Sequence, residues 1–417
     1  MSTNSDPRPT SGRVALLTNM RTLNLGNQLL STKLRDLFAT RYDEVVALHR
    51  CPEVFSSEIS WQAGRADAWE AEVADETSRA LAAAPVPHGG GQPTTVRMAR
   101  KGGRLVGGKY SRRRQLAHWA RWKTPAKRYF SASERAAARA QFATVLSCRD
   151  VVYNPAGELM DGGRPVSRLF ELALARRAGH PYAVVNFTYE AEAEMRHLTS
   201  DVFAGADVVF TRERTSADRL VRDGVPAARV SVVPDAAFLF APPVPGAGGR
   251  GVAISVNSRL DSAERRTWGE LVAGFLAAGR RVEFVSNEHD IDVGFATELG
   301  HELGQELPVG PDLLDFDEYT AYLGGFDLVI TSRFHTGVMA SLVGRPVIGV
   351  EGSSRRLREG LAGVIPDGQL LGTGPGLVAA VRSVAEEALA ATPASVAEVR
   401  ERIAQAYTGA FPLRGGS

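Results

Sequence analysis

The stretch Phe326–Val350, FDLVITSRFHTGVMASLVGRPVIGV, constrains the fold more than any other part of the chain. It reads as a complete β–loop–α–β unit. Asp327–Thr331 is a short apolar run rich in β-branched residues, the pattern of a buried strand in a parallel sheet. Ser332-Arg333-Phe334-His335 follows at the C-terminal end of that strand. Thr336–Val343 is long enough for about two helical turns, and Gly344 supplies a C-terminal stop. Pro346 opens the next strand. In open α/β sheets, ligands bind where strands end and helices begin. A guanidinium and an imidazole at that point, facing a helix N-terminus, make an anion site. The plain alternative is that Arg333 is a solvated loop residue and His335 a helix cap.

The same alternation runs through most of the chain. Arg13–Leu17 is the first strand. Gln28–Phe38 is an amphipathic helix with Leu29, Leu30, Leu34, Leu37 and Phe38 on one face. Asn24, Gly26 and Asn27 precede it, where backbone N–H groups can face a ligand or simply make a turn. The three-glycine dinucleotide spacing is missing there. Further strands are expected at Glu44–Leu48, Asp150–Tyr153, Tyr182–Phe187, Asp207–Thr211, Arg229–Val233, Val252–Val256 and Arg281–Val285. Thr215 and Asp218 have capping-box spacing for the helix after Thr211.

A chain of 417 residues is longer than one core usually organises. APPVPGAGGRG at 241–251, almost all Pro, Gly and Ala, is the natural linker. The expected plan is therefore a polar, disordered tail at 1–12, a first domain at 13–240, the linker, a second domain at 252–390, and a last helix and tail at 391–417. The fold class is α/β, with two Rossmann-like doubly wound domains facing across a cleft. Strand ends of the second domain bring Asn257, Arg259, Arg333, His335 and Arg355 to that cleft. The first brings the Asn24–Asn27 loop, Asn154, Glu158, Asp161 and Arg212. One wall is then cationic, and the other carries amides and carboxylates.

Composition removes several function classes. Net charge is only +2, so no global field points to nucleic acid. No apolar run approaches the roughly 18 residues of a membrane span. The N-terminus lacks an apolar signal core, and the chain has two cysteines, Cys51 and Cys148, which together suggest a reducing cytoplasm. All lysines lie at or before Lys127, so a lysine Schiff base in the C-terminal two-thirds is excluded. No tight ligand cluster implies a metal. His289, Asp290 and Asp292 read as a polar loop.

Residues 85–135 break the alternation. PVPHGGGQP is followed by twelve Lys/Arg between Arg97 and Arg128, and no Asp or Glu falls between Glu76 and Glu134. Trp119, Trp122, Tyr129 and Phe130 are interleaved. This reads as an insertion. It is either a solvated excursion, a lid over an anionic substrate, or a surface for peripheral contact with anionic membrane or polymer through 97–128. No specific nucleic-acid module is present.

Three blocks resemble the polysaccharide pyruvyl transferase family. One is VVFTRERTSADRLVRDGVPAARVSVVPDAAF, with Arg-Glu, a Ser-started helix, Gly and Pro-Asp. Another is DLVITSRFHTGVMASLVGRPVIGV, with Arg-x-His. The third is VAISVNSR, a strand ending in Asn-x-Arg. The resemblance implies a GT-B-like pair of domains and transfer of pyruvate from phosphoenolpyruvate, as co-substrate, to hydroxyls of a sugar or glycoconjugate, with no cofactor. It implies that Arg333 and His335 hold or protonate the donor, and that Arg212, Asn257, Arg259 and Arg355 complete the donor site. Asn24, Gly26, Asn27 and Asn154 fall on the acceptor side. His335 would be the acid, and Glu158 or Asp161 the base. Two family loops differ. A Gly-Gly-Gly appears here as Pro155-Ala156-Gly157 after Asn154, and a Gly-Gln as Asn186-Phe187.

Two other functions compete. One is a GT-B glycosyltransferase using a nucleotide sugar. Retaining members carry paired glutamates where this chain, aligned on Gly344-Arg345-Pro346-Val347, has Thr331 and Met339. Glu351 and Glu359 have the spacing but lie past that turn. The other is a carbohydrate-binding member of the fold that has lost the reaction.

Overall fold

The computed structural model describes residues 12–18, 25–48, 140–160, 165–191, 193–242, 248–256, 260–286, 289–312, 315–352, 356–374, 376–390 and 396–411. The basic segment 97–128, linker residues 243–247, and Asn24, Asp161, Asn257, Arg259 and Arg355 lie outside the described residues.

Two all-parallel sheets carry the architecture. The first runs through β1 (Arg13–Thr18), β2 (Glu44–Leu48), β3 (Asp150–Asn154), β4 (Tyr182–Phe187), β5 (Val208–Thr211) and β6 (Val230–Val232), in spatial order β2-β1-β3-β4-β5-β6. The second comprises β7 (Val252–Ser255), β8 (Val282–Phe284), β9 (Leu328–Thr331), β10 (Val347–Glu351) and β11 (Leu370–Gly372), ordered β11-β10-β9-β7-β8. Central strands such as β4, β7 and β9 are buried at every position, as expected where helices cover both faces.

In each sheet the first strand sits between the second and the third. The order in which the chain adds parallel strands therefore reverses between β1 and β3, and again between β7 and β9. These are the topological switch points at which open α/β sheets open a crevice. The register places Thr18 opposite Asn154 at the first and Ser255 opposite Thr331 at the second.

Several helix limits differ from the sequence expectation. Helix α1 spans Leu25–Ala39, so Gly26 and Asn27 belong to its first turn and not to the loop before it. Helices α2 (Val166–Arg177) and α3 (Ala193–Ala204) follow β3 and β4 in the chain. Helix α4 is Arg214–Arg222, with Glu213 at its N-cap, so the expected Thr215/Asp218 box does not form. Helix α5 (Ser262–Ala277) follows β7 and starts on a true capping box between Asp261 and Glu264. Helix α6 covers His289–Leu303, and Asp292 is thus helical rather than part of a polar loop. Helix α7 is Phe316–Gly324. Helix α8 begins at Phe334 and ends at Leu342, putting His335 inside the helix and Arg333 at its N-cap. Helices α9 (Arg356–Gly360), α10 (Leu377–Ala390) and α11 (Ala397–Ala410) complete the chain.

Contacts divide the chain into two compact units, and both sheets fall in the larger one. One apolar cluster within it unites Leu29, Leu34 and Phe38 of α1, Phe238 after β6, Tyr319 of α7 and Val338 of α8. Helix α11 joins this cluster through Ile403 and Tyr407, and its Arg400 donates to the carbonyls of Phe238 and Phe240 at 2.8 and 2.6 Å. A second cluster fills the space around Trp268, Phe275 and Leu299. The smaller unit includes α2, where buried Arg168 pairs with Glu171 at 2.7 Å and Gln141 donates to the same carboxylate at 3.0 Å. No helix among the described residues is long and apolar enough to cross a membrane.

Candidate active site

His335 is the meeting point. It projects from the first turn of α8 and is only 8% exposed. Its Nε2 lies 3.4 Å from Oδ2 of Asp235, which follows β6 of the first sheet. Its Nδ1 side packs on Gly26 of α1: a β-carbon built at Gly26 would stand 2.1 Å from Nδ1. Only glycine allows the two helices to meet there. Gly26 and His335, far apart in the sequence, are therefore in contact.

Asp235 is fully enclosed and firmly held. Oδ2 accepts from Nη1 of Arg212 at 2.7 Å, and Oδ1 accepts from the backbone N–H of Ala237 at 2.8 Å. Burial alone would raise the Asp235 pKa. The Arg212 guanidinium, the His335 ring and the Ala237 N–H outweigh burial and hold the carboxyl well below its ordinary range. For His335, burial pushes the imidazole pKa down. Asp235 works against that shift, and the charges of Arg212 and Arg356 add to it. The net direction favours the neutral ring.

Arg212 anchors a further set of groups. Its Nη2 donates to Thr188 Oγ1 at 2.6 Å, and its guanidinium lies over the Phe334 ring at 5.4 Å. Thr188 and Ser216 donate to the two oxygens of Glu213 at 2.7 and 2.9 Å. Burial raises the Glu213 pKa against the opposing Arg212 charge and these hydrogen bonds.

Arg333 sits at the second switch point. Its Nε donates to the Val256 carbonyl at 3.0 Å, and its Nη2 pairs with Asp292 of α6. The expected uniformly cationic wall is thus corrected. Arg212 and Arg333 each have a buried carboxylate partner, because a guanidinium removed from water needs one. The two side chains at Arg333 and His335 also reach in different directions, one to α6 and the other to Asp235.

On the first sheet, Asn154 is an interior tie. It is fully buried, and its Nδ2 donates to Thr18 Oγ1 at 3.0 Å, with Ser31 3.4 Å away. That corrects the expectation of a ligand-facing amide. Glu158 lies in the turn after β3 and accepts from the Tyr153 hydroxyl at 2.6 Å. The two altered family loops share a backbone reason. Ala156 and Asn186 both have positive φ, 52° and 61°, the region that favours glycine and tolerates asparagine. Asn186 keeps that conformation, and its Oδ1 accepts from the Ala236 N–H at 2.6 Å, next to Asp235.

Four residues escaped the sequence reading as site members. Asp235 was visible only as the Pro-Asp after a strand. Asp292 was grouped with a loop. Arg356 was passed over for its neighbour Arg355, yet its charge acts on both His335 and Glu213. Glu359, which lies past the Gly344–Val347 turn, accepts from the backbone N–H of Thr215 at 2.8 Å and from its hydroxyl, capping α4 from beyond the second sheet's β10.

The family model described as polysaccharide pyruvyl transferase matches residues 24–354. No curated protein matches the chain in sequence. Among solved structures, a Staphylococcus aureus (S. aureus) MnaA-UDP co-structure is similar at 12% identity and a TM-score of 0.51, over 97% of this chain and 100% of that one. A UDP-GlcNAc 2-epimerase from Methanocaldococcus jannaschii is similar at 11% identity and a TM-score of 0.50, over 95% and 99%. At such identities these likenesses establish the fold.

Proposed function

The chain belongs to the polysaccharide pyruvyl transferase family and is a transferase, and from that premise we propose that it moves the pyruvyl group of phosphoenolpyruvate onto hydroxyls of a sugar or glycoconjugate, forming a ketal. The observation that carries this reading is the convergence of Arg212, Asp235 and His335. They come from the two sequence blocks most typical of the family, and they place a neutral imidazole among guanidiniums.

Phosphoenolpyruvate carries a carboxylate and a phosphate, both suited to guanidinium forks. In this reading Arg356, with Arg259, Arg355 and Asn257, supplies the positive charge of the donor side, while Arg212 and Arg333, each paired with a buried carboxylate, brace it. Arrival of the anion offsets that charge and favours protonation of His335. The imidazolium then gives its proton to the methylene carbon, which becomes a methyl group. A sugar hydroxyl bonds to the adjacent carbon and loses its proton to a base, for which Glu158 or Asp161 is our candidate. A second hydroxyl attacks the same carbon, the bond to phosphate breaks, and phosphate leaves with the remaining proton. Asn24, Gly26, Asn27 and Asn154 belong to the acceptor half, Gly26 and Asn154 by shaping it rather than by touching the sugar. The reaction is assigned to the cytoplasm.

Phosphate release from phosphoenolpyruvate, measured across a panel of sugar acceptors, tests the reading. Thermal-shift titration with phosphoenolpyruvate and with nucleotide sugars separates it from a glycosyltransferase. Stabilisation by a nucleotide sugar, with none by phosphoenolpyruvate, would sink it.

A further inference from the structure

We propose that Glu359 is a positioning residue: by clasping Thr215 it holds α9 against α4 and so keeps Arg356 at the site. The proposal rests on the transferase reading for the ligand that Arg356 meets, and on geometry alone for the clasp. Helix α4 starts without a side-chain cap of its own. Glu213 stands at its N-cap but makes no capping hydrogen bond, its two oxygens being taken by the hydroxyls of Thr188 and Ser216. The first-turn N–H of Thr215 is met instead by Glu359 at 2.8 Å, and the other oxygen of that carboxylate takes the Thr215 hydroxyl. A carboxylate at a helix N-terminus is stabilised by the partial positive charge there. The clasp is thus a pair of charge-assisted hydrogen bonds joining a helix that follows β5 to one that follows β10.

Arg356 and Glu359 are three residues apart in α9 and share one face of it. Gly360 adjoins that face. A β-carbon there would collide with the Phe334 ring, over which the Arg212 guanidinium lies. Leu357 and Arg358 serve the second sheet. Leu357 is buried over Gly349 of β10. Arg358 donates its backbone N–H to Glu351 at 2.9 Å and its Nη2 to the Leu370 carbonyl. The second sheet therefore fixes one side of α9, and Glu359 ties the other side to the first. Arg356 stands on the tied side. Its Nη1 donates to Sδ of Met160, after β3, at 3.4 Å, and its charge reaches both His335 and Glu213. Loss of the clasp releases that face of α9, and Arg356 with it.

The test uses full-length protein, with phosphoenolpyruvate affinity read by calorimetry and backbone order by hydrogen exchange. Glu359→Ala should weaken phosphoenolpyruvate about 10-fold, the scale of one charged hydrogen bond, and speed exchange in both α9 and the first turn of α4. Glu359→Gln, which can still accept from the Thr215 N–H and donate to its hydroxyl, should restore most of the affinity. Arg356→Leu should weaken binding at least as much as Glu359→Ala. Arg356→Leu/Glu359→Ala should then be no worse than Arg356→Leu, because a residue that acts through another adds nothing once the other is gone. If Glu359→Ala does not fold, Thr215→Val removes the hydroxyl half of the clasp and is read in the same way, with Thr215→Ser as the restoring variant. Losses that multiply in the double variant overturn the proposal, as does a folded Glu359→Ala with unchanged affinity. If wild type does not bind phosphoenolpyruvate, the function reading fails while exchange still decides the clasp: unchanged exchange in α9 of Glu359→Ala overturns it, and faster exchange upholds it.

Discussion

Gly26 and His335 touch so closely that a single added methyl at Gly26 would fall 2.1 Å from the imidazole Nδ1. Gly26→Ala must therefore move either the ring or the start of α1. Overpacking of this kind costs about 1–3 kcal/mol. We expect Gly26→Ala to lower stability by that amount in urea titrations and to abolish most turnover. Gly26→Ala/His335→Ala should recover much of the stability, because the clash is gone. Equal losses in the single and double variants would mean that the cost of Gly26→Ala does not come from the ring.

Arg333 and Asp292 form a buried pair, with Arg333 8% and Asp292 7% exposed. Removing one partner strands the other charge away from water, at a cost of about 3–5 kcal/mol. Arg333→Ala should show that loss by chemical denaturation, and Arg333→Met/Asp292→Leu should return most of it. Donor affinity then separates the roles. If the double variant is stable yet does not bind phosphoenolpyruvate, Arg333 serves the donor as well as the fold. Full binding by the double variant would remove Arg333 from the donor site.

The pH dependence follows from two shifted groups. His335 has a lower pKa folded than unfolded, so between those values the unfolded chain holds the extra proton and stability falls as pH drops through 6.5. Asp235 is also depressed. Its contribution is present above the ordinary carboxylate range and disappears only on stronger acidification. Glu213 runs the other way. Its raised pKa gives a contribution that is present at low pH and lost as pH rises through the folded value. Thermal melts from pH 8 to pH 5.5 should show a decline in wild type that is shallower in His335→Gln. Parallel curves would mean that His335 is not buried neutral.

Ala156 holds a left-handed backbone with φ of 52°. That conformation costs a residue with a β-carbon about 1–2 kcal/mol, partly offset by the greater chain entropy of glycine. Ala156→Gly should stabilise the protein by up to about 1 kcal/mol without changing turnover. A lower urea midpoint would show that the methyl group contributes more by packing than it costs in strain.

The amino-acid sequence by itself determined the alternation of strands and helices and the placement of Arg333 and His335 at a strand end. Those features are local: runs of β-branched apolar residues, helical periodicity and glycine stops act within a few residues of themselves. It also marked Pro234-Asp235, but not what Asp235 faces. Tertiary structure decided the partners. Arg212 took Asp235, Arg333 took Asp292, and Asn154 turned inward to Thr18 and Ser31. Charges and amides enclosed by packed sheets must be matched, and the match comes from whichever strand ends the topology brings together. The first turn of α8 shows both limits. Sequence periodicity started that helix at Thr336, whereas the fold begins it at Phe334, where Phe334 joins the shared core and His335 reaches Asp235. The close approach at Gly26 has the same origin, since an absent side chain becomes informative only when the group it makes room for arrives from the other end of the chain.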